Sequence, residues 1–232
     1  MKKKATTIML AWLTVMTIAL QSCNNDDDDY YPYPYLQPTA VVTVKPDSGN
    51  TSFLLQVDDS TRVIPTNMRV SPFGNKEVRA LVNFTPNAST ANQRYMPVTI
   101  NWIDSILTKP TVPDYGTKND SVYGNDPVEV VNSWETVAED GYLTLRFRTR
   151  WLPSSVHTIN LVHRPEADNP YILELYHDAN SNPMQGAVAD GMVAFRLDDA
   201  FNRPDTAITI TLKWYSYSGP KTHKFRYRPR KD

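Results

Sequence analysis

The chain contains a single cysteine, and the residues around it predict that a lipid is attached there. Leu20-Gln21-Ser22-Cys23 resembles the lipobox of bacterial lipoproteins, in which the cysteine is acylated, for example with palmitate, and becomes the new N-terminus. Lysines at 2–4 precede an apolar run of about 16 residues, short for a transmembrane helix but long enough for a secretory signal. We therefore predict a signal peptide over 1–22 and lipidation at Cys23. An ordinary cleaved signal and an uncleaved N-terminal anchor are the alternatives.

The cysteine and charge content of the mature chain argue against several classes of function. With Cys23 acylated, no thiol is left for a disulfide or for a cysteine metal site. Loss of the leader lysines leaves about 21 basic residues against 25 acidic ones, and four of the acidic residues form the run 26–29. The folded part is then close to neutral and has no electrostatic reason to bind nucleic acid or an anionic membrane surface. We expect contact with the membrane to run through the lipid.

Basic side chains recur at alternate positions in two predicted strands. One set is Arg146, Arg148 and Arg150, and the other is Lys224, Arg226 and Arg228. If the two strands pair, these residues would form a basic patch that could meet lipopolysaccharide phosphates, an acidic glycan or a partner protein. The alternative is the ordinary solvated face of a sheet, where arginine and lysine protect exposed strands.

Metal-binding residues are present, but not at the spacing that a metal site requires. His157 and His163 are six residues apart on a predicted strand, about 20 Å at strand rise, and His177 and His223 have no ligand-spaced neighbour. The segment 178–182 carries oxygen-bearing side chains at alternate positions, as a calcium loop does, but proline stands where the sixth position requires glycine. We therefore predict no metal ion and no cofactor.

No positioned catalytic nucleophile is visible either. Ser154 and Ser155 lie near His157, but no G-x-S-x-G elbow is present. Carboxylates are spread among the predicted turns, and a pair that meets in space would not be visible in the sequence. We predict no catalytic residues and no enzymatic activity.

The elements that must position these residues are short strands. In 143–151 the odd positions are mostly apolar and the even ones polar or basic, and 208–214 alternates in a similar way. Successive side chains of a strand leave opposite faces of a sheet, so this pattern predicts half-buried strands. No segment after the leader keeps a helical apolar spacing for three turns, and 18 prolines punctuate the chain. The predicted fold class is all-β.

Composition divides the chain after the signal peptide into three parts. Residues 23–37 form an acidic, Tyr-Pro-rich tether, which is expected to be extended because its charges cannot pack into a core. Residues 38–110 contain five short predicted strands, which suit a closed OB-like β-barrel. Residues 111–232 begin with a segment rich in Pro, Asp and Asn. Seven predicted strands follow, the first over 128–137, which suit a C-terminal β-sandwich.

Three segments of the second region resemble the NigD-like lipoproteins of Bacteroides and Prevotella relatives. They are 139–145 (EDGYLTL), 157–162 (HTINLV) and 171–179 (YILELYHDA). The lipobox, the acidic tether and the order of the two regions agree, so the resemblance covers essentially the whole chain. It implies an N-terminal OB-like domain followed by a C-terminal β-sandwich. The family is named for an association with a bacteriocin locus, which assigns neither a reaction nor a functional residue.

These observations together predict a lipid-anchored binding or interaction protein of the cell envelope, associated with the outer membrane and with bacteriocins. The acidic run after Cys23 resembles the tag that sends such lipoproteins to the cell surface, and a plain spacer in a periplasm-facing protein is the alternative. The expected partner is a protein, a peptide or a glycan. Two other functions stay open: a cell-envelope hydrolase acting on glycan or peptide, and a structural component of an outer-membrane complex.

Overall fold

The computed structural model describes residues 37–87, 95–180, 182–203 and 205–230 of the chain. The predicted signal peptide, Cys23 and all of the tether except Gln37 lie outside the described residues. The described residues belong to one compact unit and are mainly β-structure, which confirms the predicted fold class. No helix in these ranges is both long enough and apolar enough to span a membrane.

The N-terminal domain is a closed five-stranded barrel, as the OB-like prediction requires. Side chains on the inner faces fill it, and Val42, Val44, Leu55, Val63 and Val82 are completely buried there. The strands close in the order β1-β2-β3-β5-β4, and β3 and β5 are the parallel pair. Their bounds are β1 (Ala40–Pro46), β2 (Phe53–Gln56), β3 (Arg62–Pro65), β4 (Val78–Pro86) and β5 (Met96–Ser105).

The C-terminal domain is a sandwich of two sheets. The first sheet contains, in spatial order, β10 (Thr158–His163), β11 (Ile172–Asp178), β13 (Ile208–Ser216) and β14 (Gly219–Tyr227). The second contains β6 (Leu107–Pro110), β12 (Ala187–Arg196), β9 (Tyr142–Trp151) and β7 (Glu129–Val130), and β8 (Val137–Glu139) also pairs with β9. The short helices α1 (Asn119–Tyr123) and α2 (Asp199–Asn202) lie in the connections.

One apolar core fills the space between the two sheets. Leu143 and Leu145 of β9 contribute to it from one side, and Leu161, Leu173 and Leu212 contribute from the other. All five are completely buried, and burial of a leucine side chain stabilises a fold by roughly 1.5–3 kcal/mol. Because side chains alternate along a strand, the even-numbered residues of β9 point to the outer face of their sheet.

Two strand assignments differ from the sequence prediction. Strand β6 lies within the range 38–110 assigned to the barrel, yet it pairs in parallel with residues 193–196 of β12 in the sandwich. This pairing satisfies backbone N–H and C=O groups at the edge of β12 that would otherwise be free. The single strand predicted over 128–137 is two strands, β7 and β8. A turn separates them, in which Ser133 N–H donates to Val131 O, and serine next to asparagine favours such a turn.

A buried arginine joins the barrel to the sandwich. Arg79 of β4 is completely buried and donates to Thr43 Oγ1 in the barrel at 2.9 Å. It also donates to two atoms of the sandwich, Thr144 Oγ1 at 3.2 Å and Glu139 Oε1 at 2.7 Å. A buried guanidinium needs such partners, because an unpaired buried charge is strongly destabilising. These bonds fix the position of β4 against β8 and β9.

A second group of charged residues crosses the same boundary. Glu77 accepts two hydrogen bonds from Arg230, at 2.7 and 2.8 Å, and one from the Tyr142 hydroxyl at 2.7 Å. Lys45 Nζ of the barrel lies 2.8 Å from Asp140 Oδ1 of the sandwich. With the Arg79 contacts, these bonds connect the two domains.

Candidate functional site

The arginines of β9 are neutralised by a carboxylate on the neighbouring strand. Arg146 Nε donates to Asp190 Oδ2 at 2.7 Å, and Arg148 Nε donates to Asp190 Oδ1 at 2.6 Å. Burial alone would raise the pKa of Asp190, but the hydrogen bonds and charges of the two arginines outweigh it and lower that pKa. Arg150 Nη1 donates to the Gly186 carbonyl oxygen at 3.3 Å. Arg146, Arg148 and Arg150, which we call the β9 stripe, therefore find most of their hydrogen-bond partners within their own sheet.

The second basic stripe lies on the other sheet, so the two stripes do not form one patch. Strand β14, which carries Lys224 and Arg226, pairs with β13 and not with β9. Lys224, Arg226 and Arg228 are exposed, while Phe225 and Tyr227 between them are buried. Strand β14 is an edge strand, and charged side chains on such a strand discourage pairing with another chain. This arrangement favours the solvated-face interpretation.

The histidines pair in a way that the sequence spacing concealed. The hairpin of β10 and β11 brings His157 next to His177, with Nδ1 of the first 2.8 Å from Nε2 of the second. Burial lowers the pKa of both imidazoles. His163 instead contacts Asp198 Oδ2 and the Pro170 carbonyl oxygen. The described residues contain no group of three or more His, Cys, Asp or Glu side chains placed to hold a metal ion.

The segment that resembles the start of a calcium loop uses its oxygens to cap turns. Asp178 Oδ1 accepts from Asn180 N–H at 2.7 Å, and Asn182 Oδ1 accepts from Met184 N–H at 3.0 Å. Such bonds are usual for Asp and Asn in tight turns. Ser181 lies outside the described residues.

A groove of about 320 Å³ lies on the outer face of the four-stranded sheet, and we call it the sheet groove. Alternation along β11 and β13 brings Glu174, Tyr176, Lys213 and Tyr215 to this face. Arg164, Lys221 and Asp120 of α1 also line the groove.

Two features hold α1 in place beside the groove. Gly124, which ends α1 at a φ of +80°, lies against β11, where an added Cβ would be 2.7 Å from the His177 carbonyl oxygen. Asn119 is buried, accepts from Tyr115 N–H at 2.8 Å and donates to the Tyr176 hydroxyl oxygen at 3.4 Å. The rim of the groove is thus fixed by backbone contact as well as by hydrogen bonds.

Glu174 organises the polar side of the groove. Its Oε2 atom accepts from Arg164 Nη1 at 3.0 Å and from the Tyr176 hydroxyl at 2.6 Å. Burial, with the hydrogen bond to this carboxylate, raises the pKa of Tyr176 to about 12, so the phenol stays protonated and donates. Lys213, the register partner of Glu174, has its Nζ next to Glu166 Oε1 at 2.5 Å. Positive and negative groups therefore alternate across the groove.

Tyrosine rings line and extend the groove. Tyr215 lines the groove and is 43% exposed. Tyr176 lies 6.0 Å from Tyr123 between ring centroids, and Tyr123 lies 5.9 Å from Tyr115, whose side chain is 52% exposed. Aromatic surface beside hydrogen-bonding groups is typical of ligand sites.

A second cavity of about 400 Å³ lies between the barrel and the sandwich, and we call it the interdomain cleft. Asp59 and Arg62 of the β2–β3 hairpin line one side, and Asp140, Asp205 and Arg228 line the other. Burial raises the pKa of Asp59, the nearby Arg228 opposes this rise, and the negative charges of Asp58 and Asp140 add to it. Asp140 Oδ2 is buried and has no hydrogen-bond partner among the described residues.

Sequence patterns identified neither the sheet groove nor the interdomain cleft. The groove residues come from two strands, a helix and two connections, and only the pairing of β11 with β13 brings them together. One signal was present: Lys213 alternates with the apolar Leu212 and Trp214, which places it on the polar face of its strand. Nothing in the sequence showed that these strands are neighbours.

Family models match most of the chain. Residues 41–106 match the NigD-like N-terminal OB domain, and residues 110–227 match the NigD-like C-terminal beta sandwich domain. Among curated proteins, none matches this chain.

Crystal structures of similar proteins have the same fold. A presumed toxin-related protein from Parabacteroides distasonis is 34% identical, with a TM-score of 0.67 over 82% of this chain and 92% of that one. A NigD-like immunity protein from Bacteroides caccae is 23% identical, with a TM-score of 0.58 over 84% and 93% of the two chains. A presumed lipoprotein from Bacteroides fragilis is 17% identical, with a TM-score of 0.57 over 82% and 96%. The last two likenesses concern the fold alone.

Proposed function

The chain belongs to the NigD-like family, and from this premise we propose that it is a lipid-anchored protein of the cell envelope that binds a ligand without chemical conversion. The observation that carries the proposal is the sheet groove. It combines the exposed ring of Tyr215 with several charged and hydrogen-bonding side chains. Its volume of about 320 Å³ lies within the roughly 300–1,000 Å³ of known ligand pockets.

The contacts between the barrel and the sandwich support presentation of this groove. The buried bonds of Arg79 and the bonds of Glu77 to Arg230 and Tyr142 fix the barrel against the sandwich. A preorganised binding surface loses less conformational entropy when it binds than a mobile one does. The barrel then serves as the base that holds the sandwich at the end of the tether.

Anchoring is proposed to run through the lipid on Cys23 at the outer membrane, with the body exposed at the cell surface. The acidic run 26–29 supports the surface location, and the name of the Bacteroides fragilis protein agrees with a lipoprotein. Replacing Cys23 by alanine should move the protein from the membrane fraction to the soluble fraction, because the acyl chain would be lost. Continued sedimentation of this variant with membranes would contradict lipid anchoring.

A bacteriocin-associated role is the more specific form of the proposal. One protein of the same fold is called an immunity protein and a closer relative is called toxin-related. In this role the bound partner is a toxin or its receptor, and the tether holds the groove where the toxin arrives. Cells that lack the chain should then be more sensitive to the toxin, and equal sensitivity would contradict the role.

The binding function can be tested on intact cells. Anchored wild type, Tyr215→Ala and Trp134→Ala are cross-linked, and bound proteins and carbohydrates are compared by mass spectrometry. Trp134 is the matched control, because its side chain is 51% exposed but does not line the groove. We expect one recurrent bound species that is lost in Tyr215→Ala and kept in Trp134→Ala. A partner held equally by all three forms would reject the groove and favour a structural component of a larger complex.

Hydrolysis of an envelope glycan or peptide is the second candidate function, and one observation favours it. The interdomain cleft contains Asp59, whose pKa is raised mainly by burial, together with Asp140, which is ion-paired with Lys45. Two carboxyl groups in one cleft, one of them with a raised pKa, are the arrangement that acid–base hydrolysis of glycosides uses. Asp59→Asn and Asp140→Asn should each abolish hydrolysis of purified envelope material. Absence of hydrolysis in the wild type would exclude this function for that material.

A further inference from the structure

We propose that the ligand of the sheet groove is a neutral oligosaccharide. The inference rests on the proposed binding function and names the chemical class that the groove takes. It is argued from the balance of charge, from the hydrogen bonds that the groove leaves open and from the tyrosine surface.

The charges that line the groove nearly cancel. Asp120 and Glu174 are acidic, whereas Arg164, Lys213 and Lys221 are basic. An anionic ligand would meet the carboxylate of Glu174, which lines the groove, and a cationic ligand would meet the guanidinium of Arg164 beside it. Like charges at close range are repulsive, so a neutral ligand fits this arrangement best.

The groove contains a hydrogen-bond acceptor next to hydrogen-bond donors, and one hydroxyl group of a ligand can use both. Glu174 Oε2 is used by Arg164 and Tyr176, but Oε1 makes no hydrogen bond to any described residue. A hydroxyl donates one hydrogen bond and accepts up to two, so it can give to this carboxylate while it accepts from the adjacent guanidinium. Sugars present many such hydroxyls on a rigid ring. Charged planar side chains also make stronger hydrogen bonds than neutral ones.

Tyr215 supplies the flat apolar surface that the ring face of a sugar needs. Tyr215 lines the groove and is 43% exposed, so its ring face is open to a ligand. The buried Tyr176 contributes its hydroxyl oxygen to the polar side of the groove, not a ring face. An aromatic ring offers a large contact area next to a polar tip, which matches a ligand with apolar faces and polar edges. The groove has room for about one or two sugar rings.

The test uses the full-length lipidated protein in detergent and measures binding by titration calorimetry. The probes are a panel of neutral oligosaccharides, a panel of sulfated and uronic-acid oligosaccharides, and a panel of short peptides. We expect saturable binding of at least one neutral oligosaccharide. Its affinity should change less than twofold when the salt concentration is raised tenfold, since screening acts only on charged partners.

Three variants connect the binding to the groove. Tyr215→Ala should weaken affinity for the neutral oligosaccharide roughly tenfold, because the stacking surface is lost. Tyr215→Phe keeps the ring and should bind within about twofold of wild type, as should Trp134→Ala outside the groove. Failure of every neutral oligosaccharide to bind, preference for charged oligosaccharides or peptides, or equal binding by Tyr215→Ala would each overturn the inference.

The cell experiment separates this inference from the proposed function. Loss of a cross-linked partner in Tyr215→Ala, without binding of any neutral oligosaccharide in solution, would reject the ligand class and keep the binding function. If Tyr215→Ala behaves as wild type in both experiments, the groove is not a binding site and both proposals fail.

Discussion

Replacing Arg79 by methionine should destabilise the whole chain strongly, although Arg79 lines neither the sheet groove nor the interdomain cleft. Methionine fills most of the space of the arginine stem but cannot donate to Thr43, Thr144 or Glu139, which Arg79 contacts at 2.9, 3.2 and 2.7 Å. The side chain of Glu139 is only 15% exposed, so its charge would be left without its partner in a poorly solvated place. Breaking a buried ion pair on one side typically costs about 3–5 kcal/mol. That loss is a large part of the roughly 5–15 kcal/mol by which domains are stable.

The same substitution should show a defined dependence on pH. Burial raises the pKa of Glu139, and the charge and hydrogen bond of Arg79 oppose this rise, so removing Arg79 should raise the pKa further. A carboxyl whose pKa is raised in the folded state does not reduce the free energy of unfolding at pH values below its unfolded-state pKa. It reduces that free energy as pH rises above the unfolded-state pKa and through the folded-state pKa. The loss of unfolding free energy in Arg79→Met should therefore be largest at neutral pH, and it should shrink as pH falls to the ordinary carboxyl pKa of 4.5.

The effect is measured by unfolding the full-length chain with guanidinium chloride at neutral pH and at pH 4.5. Tryptophan fluorescence and far-ultraviolet circular dichroism monitor the unfolding. Arg69→Met is the control, because Arg69 is exposed, and its free energy of unfolding should stay within about 0.5 kcal/mol of wild type. Adding Glu139→Leu to Arg79→Met should recover about 2 kcal/mol at neutral pH, since the uncompensated charge is removed. A deficit below about 1 kcal/mol for Arg79→Met, or one that grows towards acid pH, would refute the reasoning.

Two further predictions concern the sandwich. Gly124→Ala should destabilise the chain by about 3 kcal/mol, whereas Gly74→Ala should cost only about 1 kcal/mol, because both glycines have a positive φ but only Gly124 meets backbone atoms within 4 Å. Equal costs in chemical denaturation would show that the contact of α1 with β11 is unimportant. Burial and the neighbouring His157 lower the pKa of His177. Below the ordinary pKa of 6.5 the unfolded state therefore binds more protons than the folded state. The free energy of unfolding of the wild type should fall as pH drops below 6.5. His177→Phe should flatten this slope, and an unchanged slope would show that the imidazole pair does not govern stability in acid.

Much of the domain architecture was predictable because strand formation depends on local pattern. Alternation in 143–151 and 208–214 marked β9 and β13, and the same alternation fixed which side chains face the core. Prediction failed where local pattern was weak. Asn132 and Ser133 split the strand predicted over 128–137, and β6 pairs in the sandwich although its position in the chain is next to the barrel.

The candidate site was much less predictable than the fold. The arginines of β9 were candidates for a basic patch if β9 paired with β14, with a solvated sheet face as the alternative. Asp190 of β12 neutralises two of these arginines, and β14 lies in the other sheet. His157 and His177 were judged to be separate, yet they are in contact. In each case the sequence did not show a partner more than fifteen residues away in the chain.

The sequence by itself determined the all-β class, the order of the two domains, the family and the predicted acylation of Cys23, because each depends on residues that are neighbours in the chain. Only the tertiary structure decided which strands are adjacent, and therefore that Glu174 and Tyr176 share a groove with Lys213 and Tyr215. Any strand edge offers the same backbone donors and acceptors, so the sequence of one strand does not name its partner. Adjacency follows from which apolar faces bury each other best over the whole chain. The groove is a consequence of that global packing.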